Sequence, residues 1–114
     1  MKNQISSTTA EIQDSTMQEL QMIAYLSELL ERQLERLHKY DLDGAVELAE
    51  ESQKISSQVA NLGLLERPQY NREKQQIQGL YQDLCLVIAA ERKEVGDKLQ
   101  QIREGIRALS RYAK

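Results

Sequence analysis

Residues 77–112 read IQGLYQDLCLVIAAERKEVGDKLQQIREGIRALSRY, and their spacing decides the fold class. With position a at Tyr81, the same slot recurs at Ile88, Val95, Ile102 and Leu109. The d and e slots carry Ile77, Leu84, Leu99, Ile106 and Tyr112. Apolar residues at this spacing fall on one face of an α-helix, and the pattern lasts for about five heptads. No proline follows Pro68. The pattern predicts one long helix over about 69–113, on the order of 65 Å at about 1.5 Å per residue. Glu91 and Arg92 interrupt its apolar slots. Gly79, Gly96 and Gly105 each weaken it by roughly 1 kcal/mol relative to Ala. Two of these lie in its last third, so a hinge near Gly96 is the alternative to a straight rod.

Two shorter helices precede it. From Met17 to about Tyr40 there is neither glycine nor proline. Leu20, Ile23, Leu26, Leu30, Leu34 and Leu37 step by three and four along one face, and Met22, Tyr25 and Leu29 widen the stripe. Thr16 with Glu19 has the spacing of a capping box, so the first helix is placed at about 14–40. Glu28 with Arg32 and Glu35 with Lys39 are favourable i,i+4 pairs on its outer face. Residues 1–13 are polar and Ser/Thr-rich, and they read as a flexible tail.

Asp41 can cap a second helix over about 42–61, with Asp43 near its positive end. The expected seam is Leu48, Ser52, Ile55, Val59 and Leu62. Gly63 fits a left-handed stop, and Pro68 fits the start of the next helix. The short connections favour antiparallel neighbours. The expected architecture is therefore all-α, an antiparallel three-helix bundle with two shorter helices and one long C-terminal helix, in a single domain over 14–114. A long helix laid against a shorter hairpin leaves part of its length uncovered.

Composition narrows the chemistry. The 114 residues include one His, one Cys, one Pro and no Trp or Phe. A single histidine and a single cysteine exclude a two-histidine metal site and a thiol cluster within one chain. His38 reads as structural or capping, and Cys85, in an apolar run, as an inert thiol. Asp41 with Asp43 and Glu50 with Glu51 read as a helix start and a solvated face. No phosphate loop or nucleophile elbow is present, so neither an enzyme nor a cofactor is expected. The amino-terminal residues lack the apolar stretch of a secretory signal, and no apolar run approaches the roughly 20 residues of a membrane span, which points to a cytoplasmic protein.

The net charge of −3 is unevenly spread. Residues 1–66 carry five basic and twelve acidic side chains, whereas 67–114 carry ten basic and six acidic. Either the basic C-terminal helix complements the acidic hairpin inside one bundle, or its basic end, with Arg103, Arg107, Arg111 and Lys114, serves a partner. Arg103, Arg107 and Arg111 form one stripe at i, i+4 and i+8. Nucleic acid is not the expected partner, because there is no overall basic excess and no aromatic interleaving.

The order of an apolar first helix, the turn Tyr40-Asp41-Leu42-Asp43-Gly44-Ala45-Val46-Glu47-Leu48 and a polar second helix resembles the FlgN/FliT class of flagellar type III export chaperones. The ending Lys98-Leu99-Gln100-Gln101-Ile102-Arg103-Glu104-Gly105-Ile106-Arg107-Ala108-Leu109-Ser110-Arg111-Tyr112 is similar to the ending of that class. The resemblance implies a small helical chaperone that holds the amphipathic terminus of a hook-junction or filament-cap protein until export. A client helix needs an apolar face. On the uncovered end of the long helix, that face would be Val95, Leu99, Ile102, Ile106, Leu109 and Tyr112, with Arg103, Arg107 and Arg111 as rim charges. The alternative is a structural coiled-coil subunit or adaptor, a homo-oligomer joined through the same seam.

Overall fold

A computed structural model describes the backbone of residues 2–90 and 96–112, and the side chains of residues 15–90 and 98–112. The described residues are helical apart from short turns, with no strand among them. The α-helices are α1 (Lys2–His38), α2 (Leu42–Leu62), α3 (Asn71–Ala90) and α4 (Gly96–Gly105). Short 3-10 turns follow α2 at Leu64–Glu66 and Pro68–Tyr70, and a 3-10 segment at Arg107–Tyr112 follows α4.

α1 begins at Lys2, well before the start expected at residue 14. Neither glycine nor proline interrupts the first 43 residues, so the chain meets no helix breaker there. The helix ends in a Schellman motif: the Asp41 N–H donates to the Arg36 carbonyl at 2.8 Å, and the Tyr40 N–H donates to that of Leu37 at 3.0 Å. Tyr40 takes the left-handed position, at φ 61°, where glycine is usual. Asp41 then caps α2, its Oδ1 accepting from the Gly44 N–H at 3.0 Å. α2 ends as its sequence suggests, at Gly63 with φ 63°.

The expected single long third helix is replaced by two helices that double back. The Gln78 side chain donates to the Tyr112 carbonyl at 2.6 Å. In one straight helix those residues would stand about 51 Å apart. Lys98 pairs with Asp43 near the start of α2, and Arg111 pairs with Glu66 just beyond its end. α4 therefore runs parallel to α2 and antiparallel to α3. Burial explains the reversal. A rod would leave Leu99, Ile102, Ile106, Leu109 and Tyr112 wet, whereas folding back buries all five. Each is worth about 1.5–3 kcal/mol, which outweighs the few helical hydrogen bonds lost, at about 1 kcal/mol each.

Two helical hairpins thus stack. α1 packs on α2 and α3, α4 packs mainly on α2, and α1 and α4 lie diagonally across the bundle. The core runs along its length: Ile23, Leu26, Leu30 and Leu37 from α1, Ile77, Leu84 and Ile88 from α3, and the five C-terminal residues. Leu64, Leu65 and Tyr70 from the α2–α3 connection close one end. The molecule is elongated, 66 × 26 × 20 Å. α1, with 37 residues against 21 in α2, outruns its hairpin partner by about 24 Å.

The seam of α2 differs from the expected one. Ala45, Ala49, Ser52, Ser56 and Val59 are buried, Leu48 and Ile55 sit half-buried on the flank, and Leu62 is exposed. The buried stripe is made of small residues because α4 approaches closely. A Cβ built on Gly105 would lie 2.6 Å from both Cβ and carbonyl O of Ala49.

Candidate functional site

The residues expected to form a partner face fall into three groups. Leu99, Ile102, Ile106, Leu109 and Tyr112 are brought together, but inside the bundle. They do not form the uncovered face expected of an unmatched long helix, because α4 and the 3-10 segment lie along α2. Val95 lies outside the described residues, as do Glu91 and Arg92. The arginines remain at the surface. Arg111 is tied to Glu66 at 2.7 Å, and its guanidinium sits 5.6 Å from the Tyr112 ring centroid. Arg107 reaches Glu104 and Arg103 reaches Gln100, each at 3.5 Å. The 3-10 winding after Gly105 breaks the i, i+4, i+8 stripe that a continuous α-helix would give.

Burial raises the Tyr112 hydroxyl above its ordinary pKa, and the neighbouring Glu66 carboxylate pushes in the same direction. The buried ring lies beside the surface pair Arg111–Glu66. Arg67–Glu19, Lys98–Asp43 and Arg111–Glu66 all join the basic C-terminal half to the acidic first half. The uneven charge seen in the sequence is in this measure internal complementarity. Lys98–Asp43 and Arg111–Glu66 are largely exposed, so they add specificity of docking more than stability, whereas Arg67–Glu19 is half-buried.

Two polar features lie within the packing. Gln33, fully buried on α1, donates to the Ser52 hydroxyl on α2 at 2.8 Å, and Ser52 donates on to the Ala49 carbonyl at 3.1 Å. At the bundle end, Glu19 accepts from the Tyr70 hydroxyl and from the Arg67 guanidinium, both at 2.8 Å. The Tyr70 hydrogen bond, followed by that of Arg67, holds the Glu19 carboxyl below its ordinary range. Glu19 thus anchors the α2–α3 connection and does not complete a capping box. Sequence spacing carries no sign of this triad, since its members lie 48 and 51 positions apart.

No catalytic constellation emerges from these side chains. His38 is exposed in the last turn of α1, and Cys85 is half-buried beside the core. Among the described residues no three His, Cys, Asp or Glu side chains converge as a metal site. None of the described helices is long and apolar enough to cross a membrane.

The surface does carry apolar residues. Met17, Leu20, Tyr25, Tyr40, Leu62 and Leu86 are exposed, Leu86 to 70%. Leu20 lies at one end of an open groove between α1 and α3, which also includes Ile23 and Ala24 and is bordered by Glu28, Glu31 and Glu73. Sequence periodicity missed this groove because it assigned Leu20 to the seam.

The described residues form a helical bundle in which the expected contact residues of α4 and the 3-10 segment are buried and several other apolar residues lie at the surface. No family model, curated protein or solved structure matches this chain.

Proposed function

We propose that this chain binds protein clients as a cytoplasmic export chaperone, holding the amphipathic terminus of a flagellar hook-junction or filament-cap protein for type III secretion. It needs no cofactor and catalyses nothing. One observation carries the reading. The C-terminal segment Leu99–Tyr112, the end of α4 and the 3-10 segment after it, lies along α2 with its apolar side chains inside and Arg103, Arg107 and Arg111 outside. A client helix with the same spacing is chemically equivalent to that occupant. In this reading Leu99, Ile102, Ile106, Leu109, Tyr112 and Val95, with the three arginines as rim charges, meet a client only when the segment leaves α2. Binding is then an exchange, and its affinity is reduced by the free energy that holds the segment in place.

Calorimetry with terminal peptides of flagellar export substrates tests this reading. A binding peptide should strip hydrogen-exchange protection from residues 99–112. A panel in which no peptide binds defeats it.

The α1 overhang favours a second reading, a structural subunit or adaptor that self-associates. About 24 Å of α1 extends past α2, and an isolated helix of that length is marginal in water without a partner. Sedimentation at micromolar concentration separates the two, since a tight oligomer supports the second and a monomer the first.

A further inference from the structure

The groove between α1 and α3 lies on the opposite side of the bundle from the α2–α4 pair. This open groove has a volume of about 380 Å³. Leu20 and Ala24 supply an exposed apolar strip along α1, floored by the buried Ile23, and Glu28, Glu31 and Glu73 line it with carboxylates and no cation. Glu28 is already engaged by Arg32. Glu31 is exposed, whereas Glu73 Oε2 is buried from solvent with no hydrogen-bond donor facing it. An apolar strip flanked by unmatched negative charge specifies its ligand: an aliphatic face with lysine or arginine beside it. The walls are two helices running the same way, which suits a third helix lying between them.

We propose that this groove docks a basic amphipathic α-helix of a partner protein, a contact separate from the client exchange at α4. The occupant's aliphatic residues cover Leu20 and Ala24. Its cations meet the carboxylates of Glu31 and Glu73 in charge-assisted hydrogen bonds.

Three synthetic peptides of about five helical turns test the proposal on the full chain: a Leu/Lys amphipathic helix, the same composition scrambled, and a Leu/Glu amphipathic helix. Fluorescence anisotropy should give the basic amphipath an affinity at least about tenfold above the other two, falling with salt. Ala24→Arg fills the strip with a like-charged side chain, and Glu31→Lys reverses the rim. Both positions are exposed, so circular dichroism should be unchanged while binding drops by about tenfold. Glu47→Lys, on α2, should bind as wild type.

Equal binding of the scrambled peptide overturns the proposal, and so does undiminished binding to Ala24→Arg. A dimer that Ala24→Arg dissociates also overturns it, by assigning the groove to a second copy. None of these results bears on the exchange of export-substrate peptides at α4, which is read separately by protection of residues 99–112.

Discussion

Gln78 and Tyr112 are 34 positions apart in sequence, and the Gln78 amide donates to the Tyr112 carbonyl at 2.6 Å. That bond ties the end of the chain to the early part of α3 and makes the C-terminal half a helical hairpin. Most of what distinguishes this bundle from a long coiled-coil rod follows from it.

The hairpin makes the C-terminal apolar residues structural. Ile102→Asp should therefore unfold the chain or cost several kcal/mol, since a charge would enter a fully buried position. Leu62→Asp, at an apolar residue with 53% exposure, should stay within about 0.5 kcal/mol of wild type. Urea denaturation of the two variants checks the contrast, because a straight third helix predicts a mild effect at Ile102.

Two glycines should respond with opposite signs. Gly105→Ala places a methyl against the backbone of Ala49 and should destabilise by about 1–3 kcal/mol, with α4 losing hydrogen-exchange protection first. Gly79 faces open space in the middle of α3, so Gly79→Ala should stabilise by about 0.5–1 kcal/mol. Thermal melts of the two single variants give the comparison.

Tyr40 holds the left-handed position of the α1 Schellman motif while its side chain is exposed. Tyr40→Gly should remove the steric cost of that conformation and raise stability by up to about 1 kcal/mol. Tyr40→Ala keeps a Cβ in the same conformation and should give no such gain. Denaturation midpoints of the pair distinguish relief of strain from loss of the ring.

The Glu19–Tyr70 hydrogen bond makes stability pH-dependent at both ends. Glu19 is depressed below its ordinary value near 4.5 by the Tyr70 hydroxyl first and Arg67 second. Its contribution is complete above the unfolded value and is lost as pH falls through the folded one. Tyr70 is raised above 10.0, by burial first and then by Glu19, so its contribution holds below that value and is lost as pH rises through the folded one. Glu19→Gln should flatten the acid limb below about pH 4.5 and reduce the alkaline limb above about pH 10. An unchanged acid limb in urea titrations would remove Glu19 from the account.

Much of this was legible in residue spacing. The heptad slots at Ile77, Leu84, Ile88, Leu99, Ile102, Ile106, Leu109 and Tyr112 are all buried. The Asp41 cap, the Gly63 stop and the pairs Glu28–Arg32 and Glu35–Lys39 also stand where local sequence places them. These features involve partners within a few residues of one another, and neighbouring side chains alone decide them.

The path of the chain after Ala90 was not legible, because a heptad pattern says which face of a helix is buried and not against what. The same slots serve a rod facing a partner or a hairpin facing itself. The small stripe Ala45, Ala49, Ser52 and Ser56 escaped for a related reason: hydrophobicity marks large apolar residues, whereas close helix approach selects small ones. The Glu19–Arg67–Tyr70 anchor and the α1–α3 groove depend on which helices become neighbours. Sequence by itself determined helix, face and most caps, through local backbone sterics and periodicity. Tertiary structure decided the reversal, the burial of the expected partner face and the groove left outside, because the C-terminal residues gain most by covering the hairpin that precedes them.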